Sequence, residues 1–407
     1  MKFKQKIVGK LKQVLASNDY IDLISKFIAI NLSRFIFHIK YKNYKVDDKK
    51  IIFECFQGRN CSDSPLAIYN YIRNNYKGYS YIWVLNSKEH EKFNYITNQS
   101  DTSVVIYNSK EYEYEYATSK FWVVNCRLPF RFYKRKEQKY VQCWHGTPLK
   151  KLGCDIEVGK YVTSSIKGRS YSYTIDSERY DYFISPSTYA SKRFCSGFNF
   201  SYDKIIELGY PRNDSLFCNK DNLEKINSIK SKLGIDKKKK VILYAPTWRD
   251  QQFSSKEGTY YFNNQLSDIE FLKQFDESYL FLFRGHYFSE SLMGLDSFKN
   301  VSDYDDVNDL YLISDMLITD YSSVFFDYAI LERPIFFYMY DRQSYEDDVR
   351  GFYLNIDRDL PGPIYTDRIS LANAIKSPSE INYDDFNLQF NPFEDGNSAK
   401  RVVEKFL

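Results

Sequence analysis

From Lys50 onward, short dense apolar runs alternate with longer amphipathic segments. Ile51–Phe56, Tyr81–Leu85, Val104–Ile106, Phe121–Val124 and Tyr140–Trp144 read as buried strands, with a helix over Pro65–Asn75. Tyr182–Ser185 and a helix over Ser187–Phe194 close this first half. The polar stretch from Gly153 to Arg179 reads as a long loop. Ile205 to Asp214 reads as a strand running into a turn, with an interdomain hinge nearby. The rhythm then restarts with a charged helix, Asn222–Leu233, and strands at Val241–Ala245, Tyr279–Phe283, Met316–Thr319 and Ile335–Tyr338. Helices are expected at Phe271–Phe275, Leu310–Ile313 and Ser322–Leu331. Strand and helix in alternation predict parallel sheets with crossover helices, hence an α/β chain of two Rossmann-like domains facing a central cleft.

The first 48 residues depart from that pattern. Lys2, Lys4, Lys6, Lys10 and Lys12 precede an apolar-rich segment, Tyr20–Ile39, in which Ile24, Phe27, Ile28, Phe35 and Ile39 fall near helical spacing. Asp22, Lys26 and Arg34 interrupt it, so a spanning helix is not expected. The arm is basic and amphipathic. It suits either a helix lying on an anionic membrane surface or one packed on its own domain. The expected division is therefore 1–48 for the arm, 49–205 for an acceptor-side domain and 206–407 for a donor-binding domain.

Charge sharpens this picture more than composition does. The net charge of the 407 residues is +4. The first 50 residues hold twelve Lys/Arg against four Asp, leaving the remainder acidic. That balance, without a basic stripe carrying stacking aromatics, argues against nucleic acid as partner. The 38 Tyr and 32 Phe read as the imprint of an AT-rich coding sequence rather than as function. Seven scattered cysteines form no metal-ligand spacing and read as buried thiols of a reducing compartment. No cleavable leader is expected, because lysines recur through the first dozen positions.

Four strands end in unusual polar sequences: Trp144-His145-Gly146-Thr147-Pro148, Ala245-Pro246-Thr247-Trp248-Arg249-Asp250, Phe283-Arg284-Gly285-His286 and Thr319-Asp320-Tyr321-Ser322-Ser323. Ligands of open α/β sheets bind outside the carboxyl ends of strands, so two His, two Arg and several hydroxyls there point to one anionic ligand. Thr147-Pro148 reads as a helix start, which would set His145 at a helix mouth beside an anion. A core histidine satisfied by a carbonyl is the competing assignment. Ser322 and Ser323 sit where strand gives way to helix and suit phosphate oxygens or simple N-capping. Asp327, one turn on, suits ribose or polyol hydroxyls. Arg212 suits a phosphate fork, or a hinge salt bridge through Asp214. Neither a Gly-x-Gly-x-x-Gly nor a P-loop occurs, which argues against dinucleotide oxidoreductases and NTPases.

Taken in order, Trp144–Lys151, Gly209–Asp214, Tyr244–Asp250, Arg284–His286, Ser314–Tyr328, Arg350–Tyr353 and Pro361–Pro363 resemble the CDP-glycerol glycerophosphotransferase family, the primases and polymerases of teichoic acids and related phosphopolyol capsules. The resemblance runs from Ile51 to the C-terminus. It implies a GT-B fold, CDP-glycerol or CDP-ribitol as donor, a lipid-linked or polymeric acceptor, no metal or other cofactor, and peripheral attachment to the cytoplasmic face of an anionic membrane. Carried over motif by motif, His145 would be the general base on the acceptor hydroxyl and His286 would assist at the diphosphate beside Arg284 and Gly285. Trp144, Gly146, Thr147, Pro148, Arg212, Pro246 and Thr247 would line the donor site. Ser322 and Ser323 would hold phosphate, and Asp327 would contact the donor. Only a short basic arm precedes Ile51, against a long N-terminal region in the family's polymerases, so a primase or short capsule-type transferase stands beside a polymerase. A nucleotide-sugar glycosyltransferase and a non-catalytic scaffold for envelope assembly are the more distant alternatives.

Overall fold

The computed structural model describes residues 18–86, 93–157, 165–247, 253–254, 259–263, 265–285, 291–293, 297–343, 345 and 351–407. His286, Trp248–Asp250, Arg350 and the lysines of the first dozen positions lie outside the described residues. The chain forms two compact units, one running to Arg212 and reclaiming Asn397–Leu407, the other spanning Asn213–Gly396.

The first unit is built on β1 (Asp47–Glu54), β2 (Ser80–Leu85), β3 (Thr102–Ile106), β4 (Ser119–Val124), β5 (Lys139–Gln142), β6 (Tyr182–Ser185) and β7 (Ile205–Glu207). They form one sheet in the order β3-β2-β1-β4-β5-β6-β7, every pair parallel. Successive side chains point to opposite faces, so Ile51, Phe53, Tyr81 and Trp83 enter one core and Ile52, Ile82 and Val84 the other. Both faces are covered, which is why the strands read as continuous apolar runs. Helix α2 (Asp63–Asn75) covers the first face. Helix α3 (Lys110–Thr118) covers the second, burying Tyr112 and Tyr116 against Trp122, Phe132 and Tyr140.

The arm carries helix α1 (Asp19–Tyr41), capped by Asn18. Its C-terminal end enters the second core through Phe37 and Tyr41. Its N-terminal half packs on α4 (Ile166–Ser177), where Asp22 accepts hydrogen bonds from the Ser165 N–H and hydroxyl at 2.9 and 2.7 Å. That helix occupies the expected long loop. Its buried face is Gly168, Arg169, Ser172, Asp176 and Ser177, with no apolar periodicity to betray it. A methyl group on Gly168 would lie 2.0 Å from Asp22 Oδ2, so only glycine admits α1 this closely.

Helix α5 (Thr188–Phe198) leads to β7. The expected boundary at 205/206 falls inside β7, which pairs with β6. The last helix of the chain, whose Val402, Val403 and Phe406 need cover, finds it in the first core beside Ile68 and Ile72.

The second unit includes helix α6 (Leu223–Lys232) and holds β8 (Lys240–Tyr244), β9 (Tyr279–Phe283), β10 (Lys299–Asn300), β11 (Met316–Thr319), β12 (Ile335–Tyr338) and β13 (Ile364–Tyr365). Their order is β10-β9-β8-β11-β12-β13, again all parallel. Helices α7 (Val307–Ile313) and α8 (Val324–Tyr328) flank β11. Both sheets reverse their strand order once, between β1 and β4 in the first unit and between β8 and β11 in the second. These are the switch points at which open α/β sheets bind ligands. All seven cysteines are free thiols, four of them buried and Cys218 exposed.

Candidate active site

In the first unit the switch point gathers the ends of β1, β4 and β5. Trp144 adopts a left-handed backbone (φ 49°), which turns the chain abruptly after β5. Gln142 holds the turn: its Oε1 accepts from Trp144 N at 2.9 Å while its Nε2 donates to Cys126 O at 3.1 Å. His145 follows, with Nδ1 2.6 Å from the Asn125 carbonyl oxygen. The Trp144 ring stacks on the imidazole at 4.2 Å and the Phe56 ring lies at 5.9 Å.

The imidazole has solvent on one side. Dense protein on the others disfavours the imidazolium and holds His145 below the ordinary histidine range. The Asn125 carbonyl and Asp63 oppose that shift, and Arg212 adds to it. At neutral pH the ring is therefore neutral, as a proton acceptor must be.

No helix begins at Thr147-Pro148. Residues 147–149 are buried and irregular before a short 3₁₀ turn at Gly153–Asp155, so His145 owes its setting to strand ends rather than a helix mouth. The apolar spacing needed for a helix is missing: Leu149 is buried but the lysines that follow are not. The Thr147 hydroxyl is buried without a hydrogen-bond partner among the described residues, and Pro148 O accepts from Tyr189 Oη at 2.8 Å. Gly146 is half-buried.

Arg212 lies in this unit too. Its Nη1 donates to Asp63 Oδ1 at 3.2 Å and its guanidinium stacks 3.8 Å over the Tyr210 ring. Only 4% of its side chain is exposed. That setting pairs the group with Asp63; a phosphate fork or a hinge salt bridge was expected of it.

The second unit brings together the ends of β8, β9 and β11. Asp320 Oδ1 accepts from Thr247 N at 2.7 Å and Tyr321 N at 2.6 Å, and Thr319 Oγ1 donates to Ala245 O at 2.8 Å. These bonds join the strand end that carries Pro246 and Thr247 to the one that leads into Ser322 and Ser323. Neither serine side chain makes a hydrogen bond among the described residues, and Ser323, although it precedes α8, does not cap it. Two unengaged, half-buried hydroxyls at a switch point suit an anionic ligand. Arg284 continues β9, its N–H bonding Tyr244 O at 3.0 Å and its Nη1 bonding Tyr304 O at 2.7 Å. Gly285 N bonds Ser302 Oγ at 2.9 Å. Asp327 is buried and accepts from Asn213 Nδ2 at 3.1 Å. Among the described residues no group of His, Cys, Asp or Glu is placed to hold a metal ion.

Sequence reasoning missed Asp63, Asn125 and Phe56. The one available signal was position: Asn125 follows the buried strand Phe121–Val124 at its carboxyl end, and Phe56 follows Glu54 and Cys55 likewise.

Residues 35–407 match the family model for CDP-glycerol:poly(glycerophosphate) glycerophosphotransferase. A teichoic acid glycerol-phosphate transferase of Staphylococcus aureus is 39% identical over 92% of this chain and 98% of its own length. A teichoic acid poly(glycerol phosphate) polymerase of Staphylococcus epidermidis is 38% identical over 93% of this chain, which spans 54% of that protein. The solved structure of the wall teichoic acid polymerase TagF superimposes with a TM-score of 0.82 at 36% identity, covering 96% of this chain and 97% of that one. UDP-GlcNAc 2-epimerase from Neisseria meningitidis, at 16% identity and a TM-score of 0.51 over 88% of this chain and 99% of its own, shares the fold alone.

Proposed function

Because the chain belongs to the CDP-glycerol:poly(glycerophosphate) glycerophosphotransferase family, we propose that it moves glycerol phosphate from CDP-glycerol to a hydroxyl of a membrane-linked or polymeric acceptor in teichoic acid or capsule synthesis. The observation that carries the mechanism is the bond from His145 Nδ1 to the Asn125 carbonyl. A carbonyl can only accept, so the ring proton sits on Nδ1 and Nε2 keeps its lone pair. Nε2 takes the proton of the acceptor hydroxyl as that oxygen attacks the glycerol-bearing phosphorus. The bond from this phosphorus to the bridging oxygen breaks, and CMP leaves with the electron pair.

Charge develops on the departing phosphate, and fixed donors aimed at it lower the barrier. Ser322 and Ser323 supply such donors on the second unit, at strand ends that also carry Pro246, Thr247, Arg284 and Gly285, and the family motif assigns His286 the same task. Asp327 would meet the donor's hydroxyls. On the first unit Trp144, Gly146, Thr147 and Pro148 shape the surroundings of His145. Arg212, which the family motif assigns to the donor, is paired with Asp63.

Glycerol is favoured over ribitol. Relatives named for glycerol phosphate reach 38–40% identity over most of this chain, whereas a poly(ribitol-phosphate) polymerase of Bacillus spizizenii is 29% identical over 72%.

No helix among the described residues is long and apolar enough to cross a membrane. Helix α1 nevertheless exposes Ile21, Ile24, Ile28, Leu32, Phe35 and Ile39 along one face. An uncovered stripe of that length, following a basic arm, supports shallow insertion of this face at an anionic cytoplasmic leaflet while the opposite face packs on the helix's own unit. Incubating the purified chain with CDP-glycerol, CDP-ribitol and UDP-sugars in turn, with acceptor present, tests the donor assignment. CMP from CDP-glycerol is expected. UDP release, or CMP from CDP-ribitol alone, would overturn it.

A further inference from the structure

The polar groups behind His145 form a continuous chain from the end of β7 to the end of β5. Asn125 is fully buried, and every polar group it owns is engaged. Its N–H donates to Glu54 O at 3.3 Å, and its side-chain Oδ1 accepts from Phe56 N at 2.8 Å. Its Nδ2 donates to Asp63 Oδ2 at 2.8 Å, and its carbonyl faces His145 Nδ1. The amide has one possible orientation, since a backbone N–H lies on one side and a carboxylate on the other. Asp63 is itself pinned: Oδ1 accepts from Ser64 N at 2.6 Å and from Arg212 Nη1. Its backbone is left-handed (φ 59°) at the first residue of α2, a costly conformation for a residue other than glycine. Phe56, held by Asn125, is left-handed as well (φ 47°) and sets its ring near the imidazole.

We propose that Asp63, acting through Asn125, is a positioning residue that locks His145 in the Nδ1–H tautomer and aims Nε2 outward as the base. This rests on the reading of His145 as general base. The backbone carbonyl of Asn125 touches the ring, the Asn125 side chain fixes that carbonyl, and the Asp63 carboxylate fixes the side chain. The strain at Asp63 and Phe56 is retained because both conformations serve this one arrangement. Arg212 balances the carboxylate. Among the described residues the charged groups that act on the imidazole are one of each sign, Asp63 at the start of α2 and Arg212 after β7.

The test uses the full chain carrying isotopically labelled histidine, of which there are only four residues. Ring-nitrogen chemical shifts should show His145 protonated on Nδ1 alone in the wild type, and a mixture of tautomers in Asp63→Ala. The same variant should lower kcat roughly 10–100-fold, the scale of loss known for outer hydrogen-bond partners of metal-bound histidines, with KM for CDP-glycerol little changed. Asp63→Asn should move the acid limb of the pH–rate profile to lower pH, because a negative neighbour that favours the imidazolium is gone. Arg212→Gln should move it to higher pH. A merely structural role would shift both limbs together or neither, and that result overturns the proposal. Should Asp63→Ala fail to fold, a wild-type His145 protonated on Nε2 overturns it equally. Ring shifts need no turnover, so an absence of CMP release would count against His145 as base without touching the tautomer result.

Discussion

Replacing Ile24, Ile28 and Phe35 together by Gln should detach the protein from anionic vesicles while leaving its fold and donor binding intact. These side chains are 56%, 57% and 60% exposed, so the folded domain loses almost nothing when they become polar. Gln keeps a good helix propensity across α1. Complete burial of such a side chain is worth about 1.5–3 kcal/mol, so a chain just over half exposed has about 1 kcal/mol left to gain from lipid. Three of them sum to about 3–4 kcal/mol, a weakening of about 100- to 1,000-fold at 1.4 kcal/mol per decade. The assay is co-sedimentation with phosphatidylglycerol vesicles at low and at high salt, beside a thermal melt and calorimetry with CDP-glycerol. High salt should weaken the wild type by screening the basic arm, and the variant should bind poorly at either ionic strength. Undiminished sedimentation of a folded triple variant would refute insertion by this face.

His145→Ala should lower turnover by about two to four orders of magnitude with an unchanged melting temperature, measured as acceptor-dependent CMP release. Ser322→Ala combined with Ser323→Ala should weaken CDP-glycerol binding by about 1–3 kcal/mol in calorimetry, since both hydroxyls are unengaged in the protein alone. Glu54 offers a pH test: its Oε2 accepts from Tyr116 Oη at 2.7 Å and Tyr112 Oη at 3.0 Å, and complete burial pushes its carboxyl from 4.5 up to about 7. A carboxyl raised on folding contributes stability that is fully present below about pH 4.5 and lost as pH rises towards 7. The loss reaches about 3 kcal/mol. Denaturant melts of the wild type and Glu54→Gln should therefore differ in slope across that window, and parallel pH curves would dismiss the assignment.

Much of the scaffold was legible because buried parallel strands leave an unmistakable trace. Tyr182–Ser185, Tyr279–Phe283, Met316–Thr319 and Ile335–Tyr338 appear in the structure with the limits expected of them. What escaped was whatever apolar periodicity does not encode. Helix α4 buries small and charged residues, held by pairs such as Asp176 with Arg127 and Arg179, so its face looks like a loop in sequence. Helix α3 reads Lys-Glu-Tyr-Glu-Tyr-Glu-Tyr, an alternation of period two, yet it coils to bury Tyr112 and Tyr116 on one side. Thr147-Pro148 carried a helix signal with no amphipathic run behind it to propagate the turn. At the site, His145 and the Ser322–Ser323 pair stood out by residue type at strand ends. Asp63 and Asn125 did not, because a lone Asp and a lone Asn acquire their meaning only when the β1–β4 switch point brings them together. Arg212 was noticed with two readings open, a phosphate fork or a hinge salt bridge, and the fold pairs it with Asp63 from the other end of the unit.

The central claim, phosphodiester formation by transfer of an intact glycerol phosphate group, is tested most directly by following that group itself. Purified protein is given CDP-glycerol labelled in the glycerol together with an acceptor bearing a free primary hydroxyl, and product and nucleotide are counted in the same reaction. The account predicts label in the acceptor, one CMP for each linkage made, and neither product without the acceptor nor with His145→Ala. CMP released without label entering the acceptor, or label transferred at the wild-type rate by the His145 variant, would contradict it.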